Sequence, residues 1–215
     1  MATVNKIGEN TYDFTLDDGT RLWVAAPAYL NLNPKYERAI IDYTILSDKQ
    51  GDYDHYIKLN RYSDLLTKNP IYIAADDKKK QDSIGYNPIK VHSVWTGGGY
   101  LNISFGYNVG GTESHMLNLV SAEADLGANE DVVKLEFRHN AYNDPELYGA
   151  NGYVSFNLSP YRIEGREKVT LEISAKDFNG EPKIYKTEYK YKNSGTEPEN
   201  SIIDDDYNTT NLNIY

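Results

Sequence analysis

The chain has 215 residues, a formal net charge of −10 and no cysteine. Without cysteine it can form no disulfide, no thiolate nucleophile and no cysteine-ligated zinc site. The excess of 32 acidic over 22 basic residues disfavours nucleic-acid phosphates and anionic membrane surfaces as binding partners.

The first part of the chain alternates apolar and polar residues in short segments. About five strands and little helix are predicted in the first 75 residues, the clearest at residues 11–16, 21–26, 38–47 and 53–60. The Asp-Asp-Gly-Thr sequence at 17–20 predicts a hairpin turn, and one helical turn is predicted at 63–66. Such short strands favour a small closed barrel of the OB type, because closure removes exposed strand edges.

A second strand-rich block follows a charged segment at residues 76–88, which is predicted to be a linker whose three lysines (78–80) lie in a solvated loop. Gly97, Gly98 and Gly99 predict a hairpin turn, since glycine leaves the backbone unobstructed. Seven alternating strands favour an antiparallel β-sandwich, and they are predicted at residues 89–96, 100–107, 114–121, 132–140, 153–159, 169–175 and 184–191.

The predicted fold class is therefore all-β, with three parts. An OB-like barrel is expected over residues 1–86, a β-sandwich over 87–193 and an acidic polar tail over 194–215. The tail contains three consecutive aspartates at 204–206 and its composition predicts solvated chain, although residues 211–215 would be able to add a strand to a free sheet edge.

Catalytic signatures are absent from the sequence. There is no G-x-S-x-G elbow, no phosphate-binding glycine loop and no H-E-x-x-H helix. We therefore expect a non-catalytic protein without a cofactor. Neighbouring carboxylates such as Asp52 and Asp54 leave a carboxylate hydrolase as a less favoured alternative.

Two histidines carry a specific metal hypothesis. If residues 114–121 and 132–140 form a hairpin centred near Leu126, His115 lies opposite Phe137, and His139 lies opposite Glu113. His115, His139 and Glu113 would then share one face, as metal ligands do. The favoured alternative is a pair of imidazoles hydrogen-bonded within or beside the core, and a register slip of one residue abolishes the cluster.

Aromatic residues give the better indication of a binding site. The chain has 20 tyrosines, and rings with polar tips suit sugar stacking and protein interfaces. We name Trp23, Tyr43, Tyr53 and Tyr56 as candidate ligand-binding residues. The favoured alternative is that tyrosine simply suits half-buried strand positions.

Several stretches resemble the NigD-like lipoproteins of Gram-negative anaerobes of gut and mouth. They include DDGTRLWV at residues 17–24, RAIIDYTIL at 38–46, YDHYIKLNRYSDLLTK at 53–68, GYLNISF at 99–105, HMLNLV at 115–120 and LEFRHNA at 135–141. The resemblance covers nearly the whole chain up to about residue 191. It implies an N-terminal OB-like barrel and a C-terminal β-sandwich, in agreement with the strand pattern.

The resemblance also implies a location in the cell envelope, on the periplasmic side or at the cell surface. A lipoprotein of this kind is anchored through a lipidated cysteine, whereas this chain has neither a leader nor a cysteine, so we expect membrane contact only through an anchor absent from it. The family name comes from a bacteriocin locus, which implies an immunity-like role, and no catalytic residues accompany it.

The sequence therefore favours a non-catalytic envelope lipoprotein that acts by binding or assembly on an unknown protein or glycan partner. The first alternative is a glycan-binding module that uses the barrel aromatics. A hydrolase that depends on a metal or on carboxylates is less favoured.

Overall fold

The computed structural model describes residues 1–27 and 31–191, and this part of the chain is all-β, as predicted. The predictions for the acidic tail and for a strand at 211–215 fall outside the described residues.

The N-terminal strands form a closed five-stranded barrel in the order β1-β2-β3-β5-β4. Strands β3 and β5 are parallel neighbours, while the other pairs are antiparallel. Apolar side chains at alternate positions fill the barrel, among them Phe14, Leu22 and Ile57. The strands are β1 (Ala2–Gly8), β2 (Thr11–Leu16), β3 (Arg21–Ala26), β4 (Arg38–Ser47) and β5 (His55–Leu65).

Two features of the barrel differ from the sequence prediction. Strand β1 was not recognised, and the helical turn at 63–66 was wrong because β5 continues to Leu65. There Ser63 pairs with Ile40, and Leu65 with Arg38. Cross-strand pairing thus overrides the local turn preference of this segment.

The C-terminal part is a β-sandwich of two sheets. One has the order β14-β13-β11-β10-β7 and the other the order β6-β12-β9-β8. The strands are β6 (Thr67–Lys68), β7 (Ile71–Tyr72), β8 (Lys90–Gly97), β9 (Tyr100–Val109), β10 (Met116–Ser121), β11 (Val132–Asn140), β12 (Tyr148–Asn157), β13 (Lys168–Lys176) and β14 (Pro182–Lys190).

The sandwich core contains the inward-facing residues that alternation predicts. Phe105 and Phe137 meet across the sheets with ring centroids 5.7 Å apart, and Phe137 also contacts Phe156 at 6.1 Å. The aliphatic members of the core include Leu101, Ile103, Leu117, Leu119, Val133, Leu135, Val154, Leu158, Val169, Leu171 and Ile173.

The segment between the barrel and β8 already belongs to the sandwich. Strand β6 pairs in parallel with β12, and β7 in parallel with β10. The chain therefore enters the sandwich directly after Leu65, earlier than the division placed at residue 86.

Strands β11 and β13 are also parallel, because the chain crosses to the other sheet through β12 between them. The β-sandwich is therefore confirmed, but its sheets are mixed and not purely antiparallel as predicted.

The lysine-rich segment is a short helix, α1 (Lys78–Ile84), and not the predicted loop. The Asp77 side chain accepts a hydrogen bond from the Lys80 backbone nitrogen at 3.1 Å and so caps the first turn. Gly85, with a φ of 76°, ends the helix. Within the described residues no helix has the length and apolar character needed to cross a bilayer.

The barrel and the sandwich meet around a fully buried arginine. Arg38 of β4 forms an ion pair with Asp17 from the β2–β3 turn, donates to Thr3 Oγ1 at 3.0 Å and lies 4.8 Å from the centre of the Tyr100 ring. Asn102 of β9 donates to Asp17 Oδ2 at 3.3 Å. Residues of both domains thus surround one charge.

The predicted glycine hairpin is present between β8 and β9 and packs on this site. The Gly98 backbone nitrogen donates to the Asp17 carbonyl oxygen at 3.2 Å. A Cβ atom on Gly97 would lie 2.5 Å from the Cβ of Asp17, closer than side chains approach. The turn therefore needs glycine for contact with the barrel as well as for its own backbone.

Asp17→Ala is expected to destabilise the protein strongly, because it leaves Arg38 buried without its carboxylate. The free energy of unfolding should fall by about 3 kcal/mol, measured by urea denaturation. Asp42→Ala is the matched control, since Asp42 pairs with Arg61 at the exposed surface, and it should change the free energy by less than about 0.5 kcal/mol. Equal effects of the two substitutions would contradict the role of the buried pair.

Candidate functional site

Three of the four candidate aromatic residues form one cluster on the barrel, the aromatic patch (Trp23, Tyr53 and Tyr56). Trp23 of β3 is the register partner of Tyr56 of β5. Their neighbours Leu22 and Ile57 fill the barrel interior, so period-two alternation turns Trp23 and Tyr56 to its outer face. The Trp23 centroid lies 5.2 Å from that of Tyr53 and 6.3 Å from that of Tyr56.

A buried carboxylate holds the aromatic patch in place. Asp13 of β2 accepts a hydrogen bond from the Tyr53 hydroxyl at 2.8 Å and another from Asn5 Nδ2 at 2.7 Å. The Arg21 guanidinium lies 3.6 Å from Asp13 and 4.8 Å from the centre of the Tyr53 ring. Burial and the hydrogen bond to Asp13 raise the pKa of Tyr53, which keeps its hydroxyl protonated as a donor.

Tyr43 does not belong to the aromatic patch. It lies on β4 opposite Leu59, and its ring packs against the barrel core. A register shift between Asp42 and Tyr43 changes the alternation of the strand at this point. The sequence gives no sign of this irregularity, so Tyr43 could not be separated from the others.

The aromatic patch is suited to binding and not to bond cleavage. All three rings are partly exposed, and the rings of Tyr53 and Tyr56 meet edge to face at 84°. Partly exposed aromatic side chains held rigidly in this way give a large contact area at little cost in conformational entropy.

The two predicted histidines also meet, but in another register than expected. His139 pairs with Leu117 and not with Glu113, and Phe137 pairs with Leu119. Successive tight turns over residues 123–130 displace the centre of the hairpin. His115 lies just before β10, and its Nδ1 is 2.9 Å from His139 Nε2.

The acidic member of this cluster is Asp144 and not Glu113. Asp144 Oδ2 lies 3.3 Å from His115 Nε2 and accepts a hydrogen bond from the Gly110 backbone nitrogen at 2.8 Å. Its loop follows β11 and includes Tyr142 and Asn143 with positive φ angles of 49° and 63°. Sequence spacing could not predict this contact, because a strand pattern says nothing about a loop that folds back.

One acceptor fixes the protons in the histidine pair. His139 Nδ1 lies 3.1 Å from the Pro88 carbonyl oxygen, which can only accept, so Nδ1 carries the proton. His139 Nε2 is then the acceptor for His115 Nδ1–H. Burial, together with the neighbouring His115, lowers the pKa of His139 to about 4, so its ring is neutral at neutral pH.

The Asp144 carboxylate completes this network as a charged group. Burial alone would raise the pKa of Asp144, but hydrogen bonds from the Gly110 and Gly111 backbone and the contact with His115 outweigh burial and lower it. The Asp144 carboxylate lies beside His115 Nε2 at 3.3 Å, although the angle of this contact is not that of a hydrogen bond.

This cluster is closed to solvent. His115 and His139 are each 2 % exposed and Asp144 is 6 % exposed. Across residues 1–27 and 31–191, no three His, Asp or Glu side chains are arranged to hold a metal ion. His139 contacts His115 and the Pro88 carbonyl oxygen, and Asp144 accepts from the Gly110 backbone, so these side chains connect β11 to the loops before β8 and after β9. This arrangement is the hydrogen-bonded alternative named from the sequence.

Acid is expected to destabilise the protein through His139. An unfolded histidine binds its proton near pH 6.5 and the folded His139 only near pH 4, so the unfolded state takes up the proton first. The free energy of unfolding should fall by about 3 kcal/mol as the pH decreases through this window.

The slope of unfolding free energy against pH from urea titrations tests this expectation. His139→Gln should flatten the slope between pH 6.5 and pH 4. The control His92→Gln removes an exposed histidine and should leave the slope unchanged. A wild-type slope that His139→Gln does not alter would show that His139 ionises normally.

Comparison with known protein families matches both parts of the chain. The profile of a NigD-like N-terminal OB domain matches residues 1–64, and that of a NigD-like C-terminal β-sandwich domain matches residues 72–189. A search of curated proteins found no match.

Solved structures of similar proteins cover most of the chain. A protein of Parabacteroides distasonis described as toxin-related is 37 % identical, with a TM-score of 0.77 over 89 % of this chain and 92 % of that one. A protein of unknown function from Bacteroides vulgatus is 26 % identical, with a TM-score of 0.74 over 93 % of each chain. A NigD-like immunity protein of Bacteroides caccae shares the fold at 23 % identity, with a TM-score of 0.67 over 88 % of this chain and 95 % of that one.

Proposed function

The chain belongs to the NigD-like family, and from this premise we propose that it is a non-catalytic protein of the cell envelope that binds a protein partner in an immunity-like role. The observation that carries the proposal is the aromatic patch. Three partly exposed rings lie together on the outer face of the barrel, and buried Asp13 holds one of them, Tyr53, by a hydrogen bond.

The rigidity of the aromatic patch favours a protein partner. Binding energy at protein interfaces concentrates in tryptophan, tyrosine and arginine side chains, and Trp23, Tyr53, Tyr56 and Arg21 lie together here. Because Asp13 and Arg21 already hold Tyr53, little side-chain freedom is left to lose on binding.

The buried histidine cluster supports a non-catalytic role. The sequence suggested two of its members, His115 and His139, as a possible reactive grouping, and the structure adds Asp144. All three are buried, so a substrate cannot reach them without opening the surrounding loops. The envelope location rests on the family, and the immunity-like role rests on the family and on the Bacteroides caccae relative described as an immunity protein.

Glycan binding is a second candidate, favoured by one observation. Arg21 and Asp54 flank the aromatic patch, and the Arg21 backbone nitrogen donates to Asp54 Oδ2 at 2.9 Å. Rings beside charged groups are suited to stack on sugars and to bind their hydroxyls. OB barrels also bind oligosaccharides on one face.

Site-specific crosslinking tests the protein-partner proposal. A photoreactive phenylalanine derivative at position 56 should capture one protein in cells that express this chain. The same group at position 148, an exposed site on β12, should not capture it. The captured protein should then bind the purified wild-type chain, and Trp23→Ala should weaken that affinity about thirtyfold.

Tyr148→Ala is the control for the affinity measurement and should leave the affinity unchanged. Equal binding of the captured protein to wild type and Trp23→Ala would overturn the role of the aromatic patch. Calorimetry measures the affinity of each variant, and circular dichroism shows whether that variant is folded. A folded variant with reduced affinity has lost contacts to the partner.

Tryptophan fluorescence tests the glycan candidate. Trp95→Phe leaves Trp23 as the single tryptophan of the two in the chain. Glycan binding at the aromatic patch should shift its emission during titration with glycans that score on an array. An array without hits, or unchanged emission with every glycan that scores, would exclude this candidate and leave the protein-partner proposal standing.

A further inference from the structure

A cleft of about 800 Å³ lies beside the ends of two sandwich strands and shares no lining residue with the aromatic patch or the histidine cluster. We call it the terminal cleft, and it is lined by Arg162, Ile163, Glu164, Gly165, Arg166, Glu167, Lys168, Lys190 and Tyr191. These residues come from the turn before β13 and from the end of β14. The described part of the chain ends here, at Tyr191.

The terminal cleft is basic in an acidic protein. Four cations and two anions line it, whereas the whole chain carries a net charge of −10. Arg166 donates to the backbone carbonyls of Glu130 and Asn129, and Lys168 pairs with Glu188. Arg162 and Lys190 are exposed and form no ion pair with any residue in 1–27 or 31–191.

The terminal cleft also has a fixed apolar side. The Tyr191 hydroxyl donates to the Tyr161 carbonyl oxygen at 2.6 Å, and its backbone nitrogen donates to the Glu167 carbonyl at 2.9 Å. Both tyrosines are buried and Ile163 is half-buried beside them. An occupant that combines apolar side chains with negative charge would match this surface.

The sequence that follows Tyr191 has this combination. Residues 192–215 contain five acidic residues against one lysine. Two isoleucines at 202 and 203 stand directly before the three aspartates at 204–206. We propose that residues 202–206 dock in the terminal cleft, with the isoleucines on Ile163 and Tyr191 and the aspartates beside Arg162 and Lys190.

Chain length and tethering support this occupant. Residues 192–201 can extend over about 30 Å, which is enough to reach any part of a cleft that begins at Tyr191. Because the segment is attached beside the cleft, its effective concentration there is about millimolar. A weak contact of two or three charge pairs therefore suffices for occupancy.

Disulfide trapping in the full chain tests the proposal, because the protein has no cysteine of its own. Glu164→Cys places a thiol in the terminal cleft and Asp205→Cys places one in the acidic segment. In a glutathione buffer, Cys substitutions at positions 164 and 205 should form a disulfide. Removing the two positive charges by Arg162→Gln and Lys190→Gln should slow its formation about tenfold. Salt at 1 M should slow it similarly, since the screening length falls to about 3 Å.

Lys78→Gln with Lys79→Gln is the matched control, because it removes the same charge from exposed positions on α1 outside the terminal cleft. Like Arg162 and Lys190, these two lysines form no ion pair with any residue in 1–27 or 31–191. The disulfide should form in this background at nearly the original rate. Equal rates in both backgrounds, whether both fast or both slow, would overturn the proposal, because proximity or net charge would then explain the contact. The melting temperature of each chain that carries two cysteine and two glutamine substitutions confirms that the chain is folded. The result is independent of binding at the aromatic patch.

Discussion

The two domains are joined around one buried guanidinium group. A charge without solvent is costly, and Arg38 is tolerated because Asp17 and Thr3 of the barrel and Tyr100 of the sandwich surround it. Asn102 binds the same carboxylate from the sandwich side. Since the partners come from both domains, this site fixes the β2–β3 turn on the β8–β9 hairpin and thereby orients the barrel that carries the aromatic patch.

Polar and aromatic side chains have different tasks in the two domains. In the sandwich, His115, His139 and Asp144 are closed to solvent and tie loops to strands. In the barrel, the buried carboxylate of Asp13 supports rings that remain open to solvent. A carboxylate and its hydrogen-bond donors therefore stabilise the interior of the sandwich, and another such group holds partly exposed rings in place on the barrel.

The sequence predicted the parts of the fold that depend on alternation, and both sheets of the sandwich contain the expected inward residues. It missed β1, and it missed α1 because a run of lysines resembles a solvated loop until Asp77 is seen to cap it. In the candidate sites it found residues on strands but not their loop partner Asp144, whose position depends on the left-handed residues Tyr142 and Asn143.

The close approach of Gly97 to Asp17 has a consequence for the evolution of related chains. Any side chain at position 97 would collide with the Asp17 carboxylate that neutralises Arg38. Substitutions at positions 97 and 17 are therefore not independent. In homologues, loss of this glycine should accompany a smaller residue at position 17 and an uncharged one at position 38. Such joint substitution would show that the contact between barrel and sandwich evolved as a unit.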